Sequence, residues 1–192
     1  EAALAGLPEG DSALRVRLMA QRATAALARI DVGANRRTAA EAVAMARRVD
    51  DPFALGIALT AEQVTDLGPG SLPRRLRTAH EIVTLAERCG APSLAVHGRF
   101  LLMGALLENG DIRGLDAQLS AQRRHVSEVG EPRFTRHWLW FHCMRAMLDG
   151  DPDRVEALAA ECGEIAAALQ DPDGTGVYFG QLGVARWMQG RL

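Results

Sequence analysis

Lysine is missing from this chain of 192 residues: all 22 of its basic side chains are arginine. A phosphate-cradling loop of the Walker type needs a lysine, and so does a Schiff-base nucleophile, so neither chemistry can be built here. Arginine in place of lysine, beside abundant alanine and glycine, is also what a high-GC coding bias produces. Aromatic residues are only 5% of the chain, β-branched residues are sparse, and no two-residue hairpin turn separates alternating runs. Nothing therefore predicts strands. Cysteine is scarce and odd in number (Cys89, Cys143, Cys162), with no CxxC pair and each residue inside a helical pattern. That argues against a disulfide framework or a zinc site and for small buried hydrophobes in a reducing cytoplasm. No apolar run is long enough to span a bilayer, and no signal-peptide pattern opens the chain. The net charge of -2 gives no electrostatic case for binding nucleic acid or an anionic membrane.

What is present is material for a core, 48% hydrophobic against 24% charged residues, and a strict internal period. Pro52, Pro92, Pro132 and Pro172 are spaced by 40, and so are Gly70, Gly110, Gly150 and Gly190. Proline at a first helical position loses no hydrogen bond, because its missing N–H would have had no partner there. Glycine past a helix end takes the left-handed conformation that other residues avoid. Each proline thus starts a first helix that runs to just before the glycine. A second helix follows, capped by Asp111 or Asp151, or by Ser71 with Pro73 behind it, and ends near Cys89, Val129 or Leu169. Ser12 lies 40 before Pro52, so Asp11-Ser12 caps an earlier helix reaching about Arg29, whose partner runs from about Asn35 to Val49. The period predicts an all-α fold, an α-solenoid of antiparallel helix pairs with tetratricopeptide-like stacking and a 40-residue repeat. The pairs span about 12–50, 52–90, 92–130 and 132–170, with a half pair at 172–192, in one helical-repeat segment. Beginning at Glu1 rather than Met, the chain reads as a fragment of a larger protein.

No motif carries chemistry. His137 and His142 are five apart and do not share a helix face as a zinc pair does. His97 and His137 occupy one column with Ile57 and Val177 and read as partly buried structural imidazoles. His125 shares a column with Met45, Leu85 and Ile165 and reads as packing, and His80 as surface. Gly174-Thr175-Gly176 through Gly180 has the wrong spacing for a dinucleotide loop and follows no strand. Gly176, Gly180 and Gly183 fall on one helix face, as a close helix–helix approach requires. No catalytic residue, metal ligand or cofactor is expected.

The stretch Arg133 to His142 gathers two of the three tryptophans and two of the five phenylalanines. Phe141 and one tryptophan read as core. Around them runs a stripe whose chemistry changes between repeats, passing through Gly56, Val96, Arg136 and Gly176, through Thr60, Phe100, Trp140 and Gly180, and through Gln63, Met103, Cys143 and Gly183. The column Leu67, Leu107, Met147, Trp187 is apolar throughout. A variable stripe on first helices is what a recognition surface looks like, although a seam between neighbouring pairs gives the same pattern. Arg99, Phe100, Met103, Arg136, Trp140 and Tyr178 are its candidate ligand- or partner-binding residues.

The strings Asp50-Asp51-Pro52-Phe53-Ala54-Leu55-Gly56, Leu106-Leu107-Glu108-Asn109-Gly110-Asp111 and Met147-Leu148-Asp149-Gly150-Asp151 resemble the C-terminal helical region of large actinobacterial LuxR-type, ATP-binding transcriptional regulators and related signalling ATPases. The resemblance covers nearly the whole chain. It implies attached ATPase and DNA-binding domains outside this segment, no direct nucleic-acid binding by the segment itself, and a regulatory sensor or scaffold role. That role is to bind a small effector or a protein segment in a concave groove and to govern self-association. The expectation is a cytoplasmic regulator domain that acts through a protein partner or small effector and can form homo-oligomers. A pure protein–protein interaction or oligomerisation module without a small ligand is the alternative.

Overall fold

The computed structural model describes residues 2–25, 32–68 and 70–191. They form helices α1 (Ala2–Ala5), α2 (Ala13–Ala25), α3 (Val32–Val49), α4 (Pro52–Thr65), α5 (Leu72–Arg88), α6 (Pro92–Glu108), α7 (Ile112–Val129), α8 (Pro132–Asp149), α9 (Pro152–Ala168) and α10 (Pro172–Met188). There is no strand among the described residues. The fold is an all-α, solenoid-like repeat in which, within each of two units, helices pack on their neighbours in sequence. Helices α4, α6, α8 and α10 each begin at one of the four periodic prolines.

Short backbone motifs set the boundaries. Asp51, Asp151 and Asp171 accept hydrogen bonds from the free amides of the first turn that follows each of them, and Asp111 does the same for Gly114 N at 2.8 Å. These contacts satisfy donors that no helical carbonyl can reach. At the other end α8 stops where Gly150 turns left-handed, with Asp151 N donating to Ala146 O and Gly150 N to Met147 O. This is the six-to-one and five-to-two pairing of a Schellman closure. The same pair of bonds closes α5, α6, α9 and α10.

The chain divides into two compact units, residues 1–115 and 116–192. In the first, α2 packs on α3 and α4, α4 on α3, α5 and α6, and α5 on α6. Its core runs from Val16 through Ala42, Ala58 and Leu59 to Ile82 and Leu94. In the second, α9 packs on α8 and α10, around Cys143, Ala146, Val155, Ala159 and Ala185. Trp138 ties α8 to α7 by donating its indole N–H to Leu119 O at 3.0 Å.

Several expectations are corrected. Helix α4 ends at Thr65, and Gly70, left-handed at φ 81°, lies in a longer link rather than at the helix end. Ser71 makes no side-chain cap; its hydroxyl donates backwards to Asp66 O and Gly68 O. The apolar column is divided: Leu67 and Trp187 are 70% and 68% exposed, while Met147 packs against the core of the second unit. The residues near which the second helices end, Val49, Cys89, Val129 and Leu169, are apolar yet half-buried or exposed. The core columns of the second helices are instead Ala39, Ala79, Leu119, Ala159 and Ala42, Ile82, Gln122, Cys162. Cys89 is exposed, unlike Cys143 and Cys162, and His97 is exposed while His137 is half-buried. Gly176, Gly180 and Gly183 make no close approach: a Cβ added at any of them meets nothing within 4 Å. The expected end of the first helix near Arg29 lies outside the described residues.

Candidate functional site

The variable stripe is mostly interior. Met103 is fully buried and Arg99 is 8% exposed, with its guanidinium 2.6 Å from Glu87 across the α5–α6 pair. Phe100 is half-buried on the same helix. A buried guanidinium facing one carboxylate holds two helices in register, and its charge is already answered. These three residues belong to the first unit.

The second unit brings two of the candidates together. Arg136 and Trp140, one turn apart on α8, line a depression of about 580 Å³ whose far wall is Leu169 to Asp173 and Val177, at the turn into α10. His137 lies between them and Arg133 stands at the rim. Arg136 is 5% exposed; its terminal nitrogen lies 2.9 Å from an Asp171 carboxylate oxygen and 3.1 Å from His137 Nε2. Its Nε is buried with no hydrogen-bond partner. The guanidinium fits there because Gly174 offers no side chain: a Cβ at that position would stand 3.1 Å from the Arg136 Cζ. Asp171 also accepts from Asp173 N and Gly174 N, each at 3.1 Å. The hydrogen bond from the Gly174 amide, with help from the Arg136 charge, the Asp173 amide and nearby His137, holds its carboxyl below the usual value of 3.8 against an opposing desolvation. Arg136, His137 and Asp171 thus form one charged network under the Trp140 ring, which lies 6.3 Å from the His137 ring.

Tyr178 takes no part in that depression. Its ring covers the bare backbone of Gly163 on α9, where a Cβ would come within 2.9 Å of it, and it packs on the core of the second unit.

A second depression of about 500 Å³ lies between the end of α7, α8 and α9, lined by Val126, Pro132, Trp138 and Ile165 beside Arg123 and Thr135. The sequence reading nominated none of these, although the aromatic density of 133–142 pointed to the helix that separates the two depressions. Trp138 carries a T-shaped contact with His142, ring centres 4.4 Å apart. Burial is the first cause holding the His142 imidazole below its usual 6.5, and the nearby Arg154 charge adds to it. Burial likewise raises the Cys143 thiol to about 11 and the Cys162 thiol to about 12. Neither thiol is therefore ionised near neutrality, which removes both as nucleophiles.

Among the described residues no three His, Cys, Asp or Glu side chains converge as a metal ion requires, and no helix is long and apolar enough to cross a membrane. Both depressions are open, and the one beside α10 presents cations, an aromatic face and a helix start already capped by Asp171. A scan against protein-family models finds no match, and a search of curated proteins returns none either.

Proposed function

We propose that this chain is a non-catalytic helical-repeat scaffold that binds a protein segment across α8 and the start of α10, in the setting of a larger regulatory protein. The observation that carries the reading is the Arg136–Asp171–His137 network beneath Trp140. It is a rigid, charged floor with an aromatic side wall and no enclosed cavity. A small molecule is usually held in a concavity that covers most of its surface. Here Arg133, Pro172 and Asp173 at the rim are exposed, so a bound metabolite would keep much of its hydration. A peptide that lays an apolar side chain on Trp140 and offers a carboxylate to Arg133 gains from both features without needing enclosure.

The test is a peptide-library pull-down with the intact chain, paired with thermal-shift screening of metabolites. Trp140→Ala is expected to weaken capture at least about tenfold, as for a buried aromatic anchor, while Trp187→Ala leaves it unchanged. A metabolite that raises the melting temperature with no peptide captured would replace the scaffold reading with a small-effector sensor, since only binding to the folded state gives such a shift. Turnover of any substrate by the purified chain would end both.

A further inference from the structure

Trp138 and Arg123 hold open a seam that the equivalent positions of the neighbouring repeats close. Forty residues earlier these positions are Gly98 on α6 and Val83 on α5, and there the seam is shut: a Cβ on Gly98 would lie 2.7 Å from an Ile82 methyl and 3.2 Å from a Val83 methyl. Forty residues later they are Tyr178 on α10 and Gly163 on α9, shut with the sizes exchanged, the Tyr178 ring lying on the bare Gly163 backbone. Each closed seam sets a large side chain against a glycine, which lets two helices come into contact. Between α7 and α8 neither position is small. The Trp138 indole is fixed by its bond to Leu119 O, Arg123 is exposed where Val83 is buried, and both line the depression of about 500 Å³. Helices precede α7 and follow α8 in the chain, so this opening does not arise from a missing neighbour at either end.

The lining says what would fill it. Val126, Pro132, Ile165 and the Trp138 face are apolar, and Arg123 is the one charged residue of the wall. Among the described residues Arg123 has no ion pair, and the Ser127 and Thr135 hydroxyls in the same wall make no hydrogen bond. Thr60, Thr84, Ser120 and Thr175, by contrast, each donate to a carbonyl one turn back. The main chain is open as well. Ala91 N and Asp171 N donate to the ends of α5 and α9, whereas α7 is closed by the single bond from Gly130 N to Val126 O, and the equivalent Glu131 N–H has no acceptor. An occupant therefore needs apolar bulk, a negative charge opposite Arg123, and acceptors for the two hydroxyls and the free amide. A peptide chain carries all three in its side chains and carbonyls, and a basic segment would set like charges together.

We propose that this depression takes a protein segment in which a bulky apolar residue stands beside an aspartate or glutamate. The apolar side chain lies on Trp138 between Val126 and Ile165, and the carboxylate meets Arg123. The site shares no lining residue with the depression beside Trp140 and does not depend on it.

Selection of random peptides on the intact chain carrying Trp140→Ala tests the proposal, since peptides held at Trp140 drop out. The affinity of each selected peptide, fluorescently labelled, is then read by polarisation. Selected peptides are expected to pair Leu, Ile, Met or Phe with an adjacent acid. Arg123→Glu, which reverses the wall's charge, and Ser127→Phe, which fills the depression, should each weaken binding at least about tenfold, and Arg77→Glu on α5 should leave it unchanged. All three positions are exposed, so the folds should be retained, and circular dichroism of each variant checks this. A peptide whose acid is replaced by its amide should bind more weakly and lose its sensitivity to Arg123→Glu. Failure to select any peptide overturns the proposal while leaving the Trp140 site untouched. So do peptides that pair the apolar residue with a base, or that bind the Arg123→Glu and Ser127→Phe chains as tightly as the parent.

Discussion

Arg136 shows how a side chain that the repeat pattern marks for a recognition surface also becomes structural. Its column holds glycine and valine in neighbouring repeats, and it enters the interior because Gly174 makes room and Asp171 answers its charge. The consequence is asymmetric: an interior cation stripped of its carboxylate is far costlier than the pair is stabilising. Asp171→Asn keeps an oxygen for the Asp173 and Gly174 amides and removes only the charge. Asp171→Ala removes both, and is expected to cost about 3 kcal/mol by urea denaturation, the loss of a helix cap added to an uncompensated guanidinium. Asp171→Asn should fall clearly between Asp171→Ala and wild type; equal losses for the two variants would mean that the charge alone matters, and an Asp171→Asn variant as stable as wild type that the cap alone does. The thiols separate just as cleanly. With Cys143 and Cys162 buried and their thiols raised to about 11 and about 12, a disulfide reagent at pH 8 should titrate Cys89 alone in native protein and all three after unfolding. Rapid native reaction of a second thiol would contradict that burial.

Among the elements, what could be read from sequence and what could not divides along a physical line. Proline starts and glycine stops act through the local backbone, by a missing N–H and by freedom at positive φ, so the starts of α4, α6, α8 and α10 were legible from spacing alone. Core columns were not, because the inward positions of the second helices are largely alanine, which carries little hydrophobic signal, while Leu67 and Trp187 carry much and face solvent. The candidate depression was half legible: aromatic density pointed to α8, but the role of Gly174 as the space beneath a guanidinium depends on a contact 38 residues away. Left-handed stops were also partly hidden, since they recur at the ends of the second helices with Asp50 (φ 56°) and Gln170 (φ 52°) standing where Gly90 and Gly130 stand elsewhere. A glutamine there suffers the Cβ-to-carbonyl crowding that glycine avoids. Gln170→Gly should therefore stabilise the chain by about 0.5 to 1 kcal/mol, after allowing for the greater freedom of glycine when unfolded. Gly150→Ala should destabilise it by about 1 kcal/mol. A shift in denaturation midpoint of the wrong sign for Gln170→Gly would show that its conformation carries no strain.

At the scale of the whole molecule, a repeat fold divided into two compact units need not unfold as one, because each pair is held only by its neighbours. The chain carries its own reporter for this. Trp138, Trp140 and Trp187 all lie in the second unit, so indole fluorescence follows that unit while far-ultraviolet circular dichroism follows every helix. The second unit also holds His142, whose imidazole is kept below its ordinary 6.5 by burial and by the Arg154 charge. In the unfolded chain that ring takes up a proton as pH falls through about 6.5, whereas in the folded chain it resists until lower pH. The proton is therefore bound first by the unfolded state, and stability falls across that interval. Asp171, with its carboxyl held low, contributes fully above about 3.8 and withdraws its contribution only below it, so the two effects occupy different pH ranges. Between pH 7 and pH 5 the fluorescence-detected urea midpoint should fall further than the dichroism midpoint, opening a gap between the two curves. His142→Phe keeps the ring contact with Trp138 and removes the titrating group, so it should close most of that gap at pH 5 while changing little at pH 7.5. If the fluorescence midpoint of His142→Phe drops with acid as steeply as that of wild type, the sensitivity arises elsewhere in the second unit.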